Sequence, residues 1–150
     1  MDAKFNCCGI TTHTLKDMGL LIFRIVIGVL MLTHGWQKLS NFETLSAVFP
    51  DPIGWGSSML LTMIVFAEVV CSILLILGLF TRISTLPLII GMLVAAFVVH
   101  GADPFQVKEL AILYMFGYIL LAFTGAGKLS ADNYLDKFYL KYLGMFYSKN

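Results

Sequence analysis

Charged residues are scarce in this chain of 150 residues. They make up 13 % of the sequence, whereas hydrophobic residues make up 59 %. A soluble domain usually carries about 25 % charged and about 45–50 % apolar residues, because a small domain needs many polar groups to cover its surface. The composition therefore excludes a water-soluble fold, and its high apolar content excludes an intrinsically disordered chain.

Basic tracts and cysteine motifs are also missing. The net charge is only +1, and no run of Lys or Arg exists, which excludes a basic nucleic-acid module. The three cysteines form no C-x-x-C pair, so thioredoxin-like and zinc-ribbon folds are excluded too. Cys71 lies in an apolar run and is interpreted as a small buried hydrophobe. Cys7 and Cys8 are either a redox or lipidation site or a pair of reduced thiols in a tail.

Long apolar runs dominate what the sequence does contain. A bilayer core of about 30 Å needs about 20 helical residues, and the period-two alternation of a membrane barrel is absent. Only helices satisfy their own backbone groups in lipid, so the sequence predicts an all-α fold, an integral membrane four-helix bundle. The predicted spans are residues 18–36, 57–79, 83–100 and 110–124. The fourth is short, and residues 125–129 are expected to extend it.

The ends of the chain are predicted to lie outside the bundle. Residues 1–17 form a polar N-terminal tail, residues 18–129 the membrane domain and residues 130–150 a C-terminal tail. The first span follows a long polar lead and shows no cleavage pattern, so we expect it to be retained. Ser130 is a plausible N-cap for an amphipathic interfacial helix, with a frayed tail as the alternative. The apolar stripe of that helix comprises Leu135, Phe138, Tyr139, Tyr142, Leu143 and Phe146.

The basic residues between the spans predict the orientation. Cytoplasmic loops of membrane proteins carry an excess of Lys and Arg. One side carries seven such residues and the other side only Lys38 and Lys108. This distribution predicts a multi-pass inner-membrane protein with both termini in the cytoplasm and with residues 40–56 and 101–109 outside. The seven are Lys4, Lys16, Arg82, Lys128, Lys137, Lys141 and Lys149.

Two ionisable residues lie deep inside predicted spans. Arg24 is in the first span and Glu68 is near the middle of the second. A single charge at the bilayer centre costs at least about 2.5–3.5 kcal/mol, so we expect Arg24 and Glu68 to form a buried ion pair. Two alternatives are a direct role in proton or substrate handling and snorkelling of Arg24 to the inner interface.

Five further polar residues are predicted to meet at the outer ends of the spans. They are consistent with simple interfacial anchoring or with a site for a quinone-like head group, which needs hydrogen-bond donors at the membrane edge. Ligation of haem by His34 and His100 is a weaker alternative, because haem bundles usually supply further paired ligands. Metal binding and transport are further alternatives, and two histidines without a third strong ligand are a poor metal signal. The five residues are His34, Lys38, His100, Lys108 and Glu109.

An ordered set of short motifs resembles the DoxX family of small bacterial membrane proteins. The set begins with Arg24-x-x-x-Gly28 and continues with 34-HGWQKL-39, Glu68 and 78-GLFTR-82. Residues 124–132, TGAGKLSAD, resemble the family's closing G-x-G-x-x-S-x-D segment. The resemblance covers roughly residues 18–133. It carries over Arg24, Gly28, His34, Gly35, Lys38, Glu68 and Lys128 as motif residues.

The resemblance implies a four-helix inner-membrane protein and suggests a redox context. Family members are similar to the small membrane subunit of thiosulfate:quinone oxidoreductase, and others are associated with oxidative-stress and thiol-homeostasis partners. The sequence has no Gly-rich dinucleotide loop and no evident redox centre, so catalysis by this chain alone is not indicated. Quinone is the one cofactor suggested, with the lipid bilayer, a soluble redox partner protein and further copies of the chain as partners. The alternative function is a non-enzymatic membrane scaffold that docks or stabilises soluble proteins.

Overall fold

A computed structural model describes residues 12–138, and the side chains of residues 14–138. This part of the chain is helical and contains no strand, which confirms the predicted all-α class. Its helices are α1 (Thr12–Ser40), α2 (Phe42–Ser46), α3 (Ser57–Phe66), α4 (Ser72–Leu77), α5 (Thr81–Val94) and α6 (Phe105–Thr124). Residues 131–138 are helical as well. The two Cys of the N-terminal tail and most of the predicted amphipathic stripe lie outside the described residues.

Two helical segments contain a wider π-helical turn. Ala67–Cys71 joins α3 to α4 in one continuous helix, and Ala95–Val99 extends α5. Such turns are rare and occur frequently at functional sites, because the extra residue re-aims the side chains that follow it. The first π-helical turn contains Glu68.

Three helical segments are long and apolar enough to cross a membrane. They are Ser57–Leu77, Thr81–Val99 and Phe105–Thr124. Large apolar side chains are exposed on the outside of these segments, for example Leu113 at 69 % and Phe123 at 81 %. Exposed apolar area of this extent indicates contact with lipid. The first predicted span lies within α1, which has 29 residues.

The predicted extension of the fourth span is wrong. Helix α6 ends at Thr124, because Gly125 leaves the helical conformation with φ at 75° and ψ at −169°. Residues 125–130 form an irregular segment. The helix gains its length at the other end instead, where it starts at Phe105 directly after Pro104.

The connections define two ends of the bundle. The loop end holds residues 41–56 and the 100–104 turn, and the motif end holds residues 78–80 and 125–132. At the loop end, the Asp51 carboxylate accepts hydrogen bonds from the N–H groups of Gly54, Trp55 and Gly56 at 2.7–3.1 Å. These bonds, that from Gly56 most of all, hold the pKa of Asp51 below its usual range.

The bundle core combines apolar side chains from α1, α5, α6 and the continuous helix 57–77. Leu75, Leu88, Tyr118 and Leu121 are fully buried at its centre. Arg24 and Glu68 are also buried, at 1 % and 2 % exposure. Because an ionised side chain in such a place needs a partner, the contacts of these two residues decide what the core can do.

Candidate functional site

The predicted Arg24–Glu68 pair is wrong. The buried Glu68 carboxylate forms an ion pair with the partly exposed Lys38, which lies near the loop end of α1. Arg24 lies toward the motif end and donates to backbone carbonyls there. The sequence correctly indicated that Arg24 and Glu68 are buried charges that need partners. They lie at different levels along the bundle axis, so each one meets a different partner.

Arg24 binds the irregular segment that follows α6. Its Nη1 donates to the carbonyl of Ala126 and its Nη2 donates to the carbonyl of Leu129 at 3.0 Å. Gly78 lies against the same guanidinium, since a Cβ at Gly78 would be 2.7 Å from Nη1. Gly78 also has a φ of 71°, which favours glycine. Arg24 thus ties the segment after α6 to α1.

Asp132 fixes the same segment to the start of α5. Its carboxylate accepts hydrogen bonds from the N–H of Phe80 at 2.7 Å and of Thr81 at 3.1 Å, and its own N–H donates to the Gly78 carbonyl at 2.9 Å. A carboxylate at a helix N-terminus satisfies free N–H groups and interacts favourably with the helix dipole. Asp132 also interacts electrostatically with Arg24. The closing G-x-G-x-x-S-x-D segment is therefore a structural clamp.

Lys128 has a smaller part in this clamp. Its backbone N–H donates to the Asp17 carboxylate at 3.2 Å, while its side chain is exposed. Among the described residues, none forms a hydrogen bond or ion pair with the Lys128 ammonium.

A second polar group surrounds Glu68. Lys38 occupies one carboxylate oxygen of Glu68, and Tyr118 from α6 interacts electrostatically with Glu68. Tyr118 stacks on Tyr114 with ring centroids 6.1 Å apart, and Tyr114 meets the edge of the His34 ring at 6.0 Å. We call these five residues the polar cluster.

The polar cluster contains two residues that the sequence analysis missed. Tyr114 and Tyr118 are four residues apart in α6, so they lie on one helix face with their hydroxyl groups inside an apolar bundle. Tyrosines at this spacing inside a span were the available signal, because a buried tyrosine hydroxyl usually needs a hydrogen-bond partner.

The structure does not bring the five predicted outer residues together. Within residues 12–138, no hydrogen bond, ion pair or ring contact joins any two of them. His100 pairs with Asp103 at 2.8 Å, the Lys108 ammonium donates to the Gly101 carbonyl at 3.0 Å, and Glu109 is exposed. These three residues belong to the 100–104 turn and the start of α6, whereas His34 and Lys38 belong to the polar cluster. Among the described residues, no group of three or more His, Cys, Asp or Glu is placed to hold a metal ion.

Glycines on α1 bring the continuous helix 57–77 into close contact. A Cβ at Gly35 would be 2.8 Å from the Glu68 Cβ and 2.9 Å from the Glu68 backbone carbon. A Cβ at Gly28 would be 2.6 Å from Ile76 Cγ1. Small residues that let helix backbones approach are typical of helix interfaces in membranes. Gly35 therefore determines how closely α1 approaches the π-helical turn.

Gly35→Ala is expected to destabilise the protein by about 1–3 kcal/mol, because the added methyl group overpacks against the Glu68 backbone. Gly19→Ala in the same helix is the matched control, since a Cβ at Gly19 meets nothing within 4 Å. That change should stabilise α1 by about 0.5–1 kcal/mol through helix propensity. Thermal unfolding in detergent checks both variants. Equal melting temperatures of the two variants would contradict the close contact at Gly35.

A groove between α1 and α6 lies next to the polar cluster. It has a volume of about 430 Å³ and an almost entirely apolar wall, with Tyr114 at one part of it. Most of the side chains that line the groove are exposed, among them Val26 and Leu113, so the groove opens to the outside of the bundle. Its lining comprises Phe23, Val26, Ile27, Leu30, Leu110, Leu113, Tyr114, Phe116, Gly117 and Leu120.

Comparison with known proteins identifies the family. The DoxX family model matches residues 19–101, a range that holds Arg24, Gly35, Lys38 and Glu68. The chain belongs to the DoxX family. The clamp segment of this DoxX protein, residues 125–132, lies beyond the matched range.

The relatives of this DoxX protein include two that are described as membrane proteins. An uncharacterized protein of Haemophilus influenzae is 36 % identical over 129 residues, which cover 81 % of this chain and 92 % of that protein. The inner membrane protein YqjF of Escherichia coli is 28 % identical over 127 residues, which cover 82 % of this chain and 96 % of that protein. An uncharacterized membrane protein of Mycobacterium tuberculosis is 25 % identical over 148 residues, which cover 83 % of this chain and 86 % of that protein. No solved structure matches the chain.

Proposed function

We propose that this DoxX protein is the membrane subunit of a quinone-linked redox system and binds a quinone-type lipid in the groove between α1 and α6. The groove carries the proposal, because it combines an apolar wall with Tyr114, whose ring contacts His34. Its volume of about 430 Å³ falls within the usual range of about 300–1,000 Å³ for small-molecule sites.

The chemistry of the groove suits a ring with carbonyl oxygens and an apolar tail. Phe23, Leu30 and Leu120 offer a surface for the tail, and the Tyr114 hydroxyl offers a hydrogen-bonding group for the ring. The His34 imidazole does not line the groove but contacts the Tyr114 ring beside it, within reach of a ring that binds at Tyr114. A soluble partner protein would hold the electron-transferring cofactor, because this chain shows no motif for one.

Loss of a ring-binding group should weaken ligand binding. His34→Ala and Tyr114→Phe are each expected to reduce the affinity for a short-chain quinone analogue by about ten- to a hundredfold, since one hydrogen bond to a polarised group is worth about 1.5–3 kcal/mol. Binding is measured by titration in nanodiscs after gel filtration has verified each variant.

His100→Ala is the matched control for this titration. His100 is a second histidine near the loop end, but it pairs with Asp103, whereas His34 contacts the groove residue Tyr114. Its loss should leave the affinity unchanged. An equal loss of affinity in His34→Ala and His100→Ala, or no binding by the parent protein, would contradict a quinone site in the groove.

The membrane arrangement that accompanies this function has four spans, with α1 as the first and both termini in the cytoplasm. The excess of Lys and Arg at the motif end and in the tails supports this orientation. In a cysteine-free variant, single cysteines at residues 53 and 102 should react with an impermeant thiol reagent applied to intact cells. Cysteines at residues 82 and 128 should react only after the membrane is opened, and the reverse pattern would contradict the orientation.

A non-enzymatic scaffold is the second candidate function. Residues 47–55 of the loop end expose Val48 at 72 %, Ile53 at 54 % and Trp55 at 56 %. Exposed apolar residues of this kind are typical of surfaces that contact a partner protein or lipid. If the titrations detect no quinone binding, co-purification in mild detergent should instead recover a soluble partner that is lost with Val48→Ser and Ile53→Ser.

A further inference from the structure

Five buried side-chain polar atoms lack a hydrogen-bond partner among the described residues, and two of them, Arg24 Nε and Thr81 Oγ1, lie toward the motif end. The other three are Glu68 Oε2, Ser72 Oγ and the Tyr118 hydroxyl, and their residues are at most 2 % exposed. Inside a membrane neither lipid nor an apolar core supplies a partner, so an unpaired polar group is strongly unfavourable. These atoms need a partner that the chain itself does not provide.

The three residues belong to one polar region that extends toward the loop end. Ser72 follows the π-helical turn that contains Glu68, and Tyr118 reaches Glu68 from α6. Lys38 occupies the other carboxylate oxygen of Glu68, and its side chain is 30 % exposed. Lys38 therefore connects the buried region with the surface.

We propose that Glu68, Ser72 and Tyr118 bind internal water that is continuous with the aqueous phase at the loop end along Lys38. Water donates to Glu68 Oε2 and accepts from the hydroxyl groups of Ser72 and Tyr118, so one kind of ligand satisfies all three atoms. A small anion would be repelled by the carboxylate, and the Lys38 ammonium already supplies the neutralising cation.

The proposed hydrated site ends at an apolar barrier. Leu75 follows Ser72 along the helix, is fully buried and belongs to the apolar core. The site is therefore a half-channel that carries water from the loop end to the middle of the bundle and stops there. This inference does not rest on the ligand proposed for the groove.

Cysteine accessibility tests the half-channel with a control inside the chain. Cys71 is 3 % exposed and belongs to the apolar core, whereas the neighbouring Ser72 belongs to the polar region. After Cys7→Ser and Cys8→Ser, one chain keeps Cys71 and a second carries Ser72→Cys with Cys71→Ser. Both are placed in nanodiscs and treated with a small water-soluble methanethiosulfonate reagent.

The two thiols should react with the methanethiosulfonate reagent at clearly different rates. We expect the Ser72→Cys chain to react about tenfold faster or more, because a thiol in a dry apolar site does not ionise and stays unreactive. Adding Lys38→Met with Glu68→Met should lower that rate to the rate of the Cys71 chain, because the polar region is then removed. Equal rates at positions 71 and 72, or a fast rate that survives the double change, would overturn the proposal.

Hydroxyl-radical footprinting gives a test without altering Ser72. Radicals formed from internal water should oxidise Tyr118 in the parent protein despite its burial. The oxidation should fall several-fold in the Lys38→Met, Glu68→Met variant, which keeps the same tyrosine. An unchanged oxidation rate would contradict hydration of this region.

Discussion

Lys38→Met is expected to lower the free energy of unfolding by about 3–5 kcal/mol, because it leaves the Glu68 carboxylate buried without its counter-charge. Glu68 is 2 % exposed, and its second oxygen has no partner among the described residues. Glu68→Gln should cost less, since Lys38 is 30 % exposed and can turn toward water. Thermal unfolding of each variant in detergent measures the asymmetry.

A double-mutant cycle tests whether the two charges act together. Replacing both Lys38 and Glu68 by methionine should recover most of the stability lost in Lys38→Met, because apolar side chains of similar volume often replace a buried ion pair without a net loss. If the two single losses simply add in the double variant, the residues are not coupled and the observed pair does not stabilise the fold.

Arg24→Gln is expected to lower the free energy of unfolding by about 3–5 kcal/mol, because two carbonyls lose a charged donor worth about 1.5–3 kcal/mol each. Those carbonyls belong to Ala126 and Leu129, so the segment after α6 should also detach from the bundle. Hydrogen exchange at the N–H groups of Phe80 and Thr81, which Asp132 holds, should therefore accelerate in this variant.

Two substitutions serve as controls for Arg24. Arg24→Lys keeps the charge but lacks the forked donor geometry. Its loss in the free energy of unfolding should therefore be about half of the loss in Arg24→Gln. Arg82→Gln removes an exposed arginine at the same end and should change stability by no more than about 0.5 kcal/mol. A loss in Arg24→Gln as small as that in Arg82→Gln would mean that the clamp does not depend on Arg24.

Local sequence signals predicted the helices well and the end of α6 poorly. Apolar runs of membrane-spanning length located the three segments that the structure identifies as candidate spans. The predicted extension past Thr124 overlooked that Gly125 and Gly127 adopt positive φ angles, which a residue count cannot reveal. The glycines at these positions favour a turn and allow the segment to return to Arg24 and Asp17.

The candidate site could be predicted only in part. Isolated charges in apolar runs marked Arg24 and Glu68 as buried and in need of partners, and both are buried. The choice of partner could not be read from the chain, because Lys38 and Arg24 both lie on α1 and a shift of the helices along their axes decides which one meets Glu68. The spacing of Tyr114 and Tyr118 marks a polar face on α6, but the neighbour that this face meets depends on how α6 packs, which no local pattern specifies.

Composition and periodicity by themselves determined that this chain is a helical membrane protein, because burying so many apolar residues in a chain this small requires lipid around it. The order of its motifs was also sufficient to indicate the DoxX family, and the family model agrees. Only the tertiary structure decided that the two buried charges belong to two separate sets of contacts. Arg24 clamps the segment after α6, and Glu68 pairs with Lys38, because partner choice among buried charges depends on distances of a few ångströms between helices.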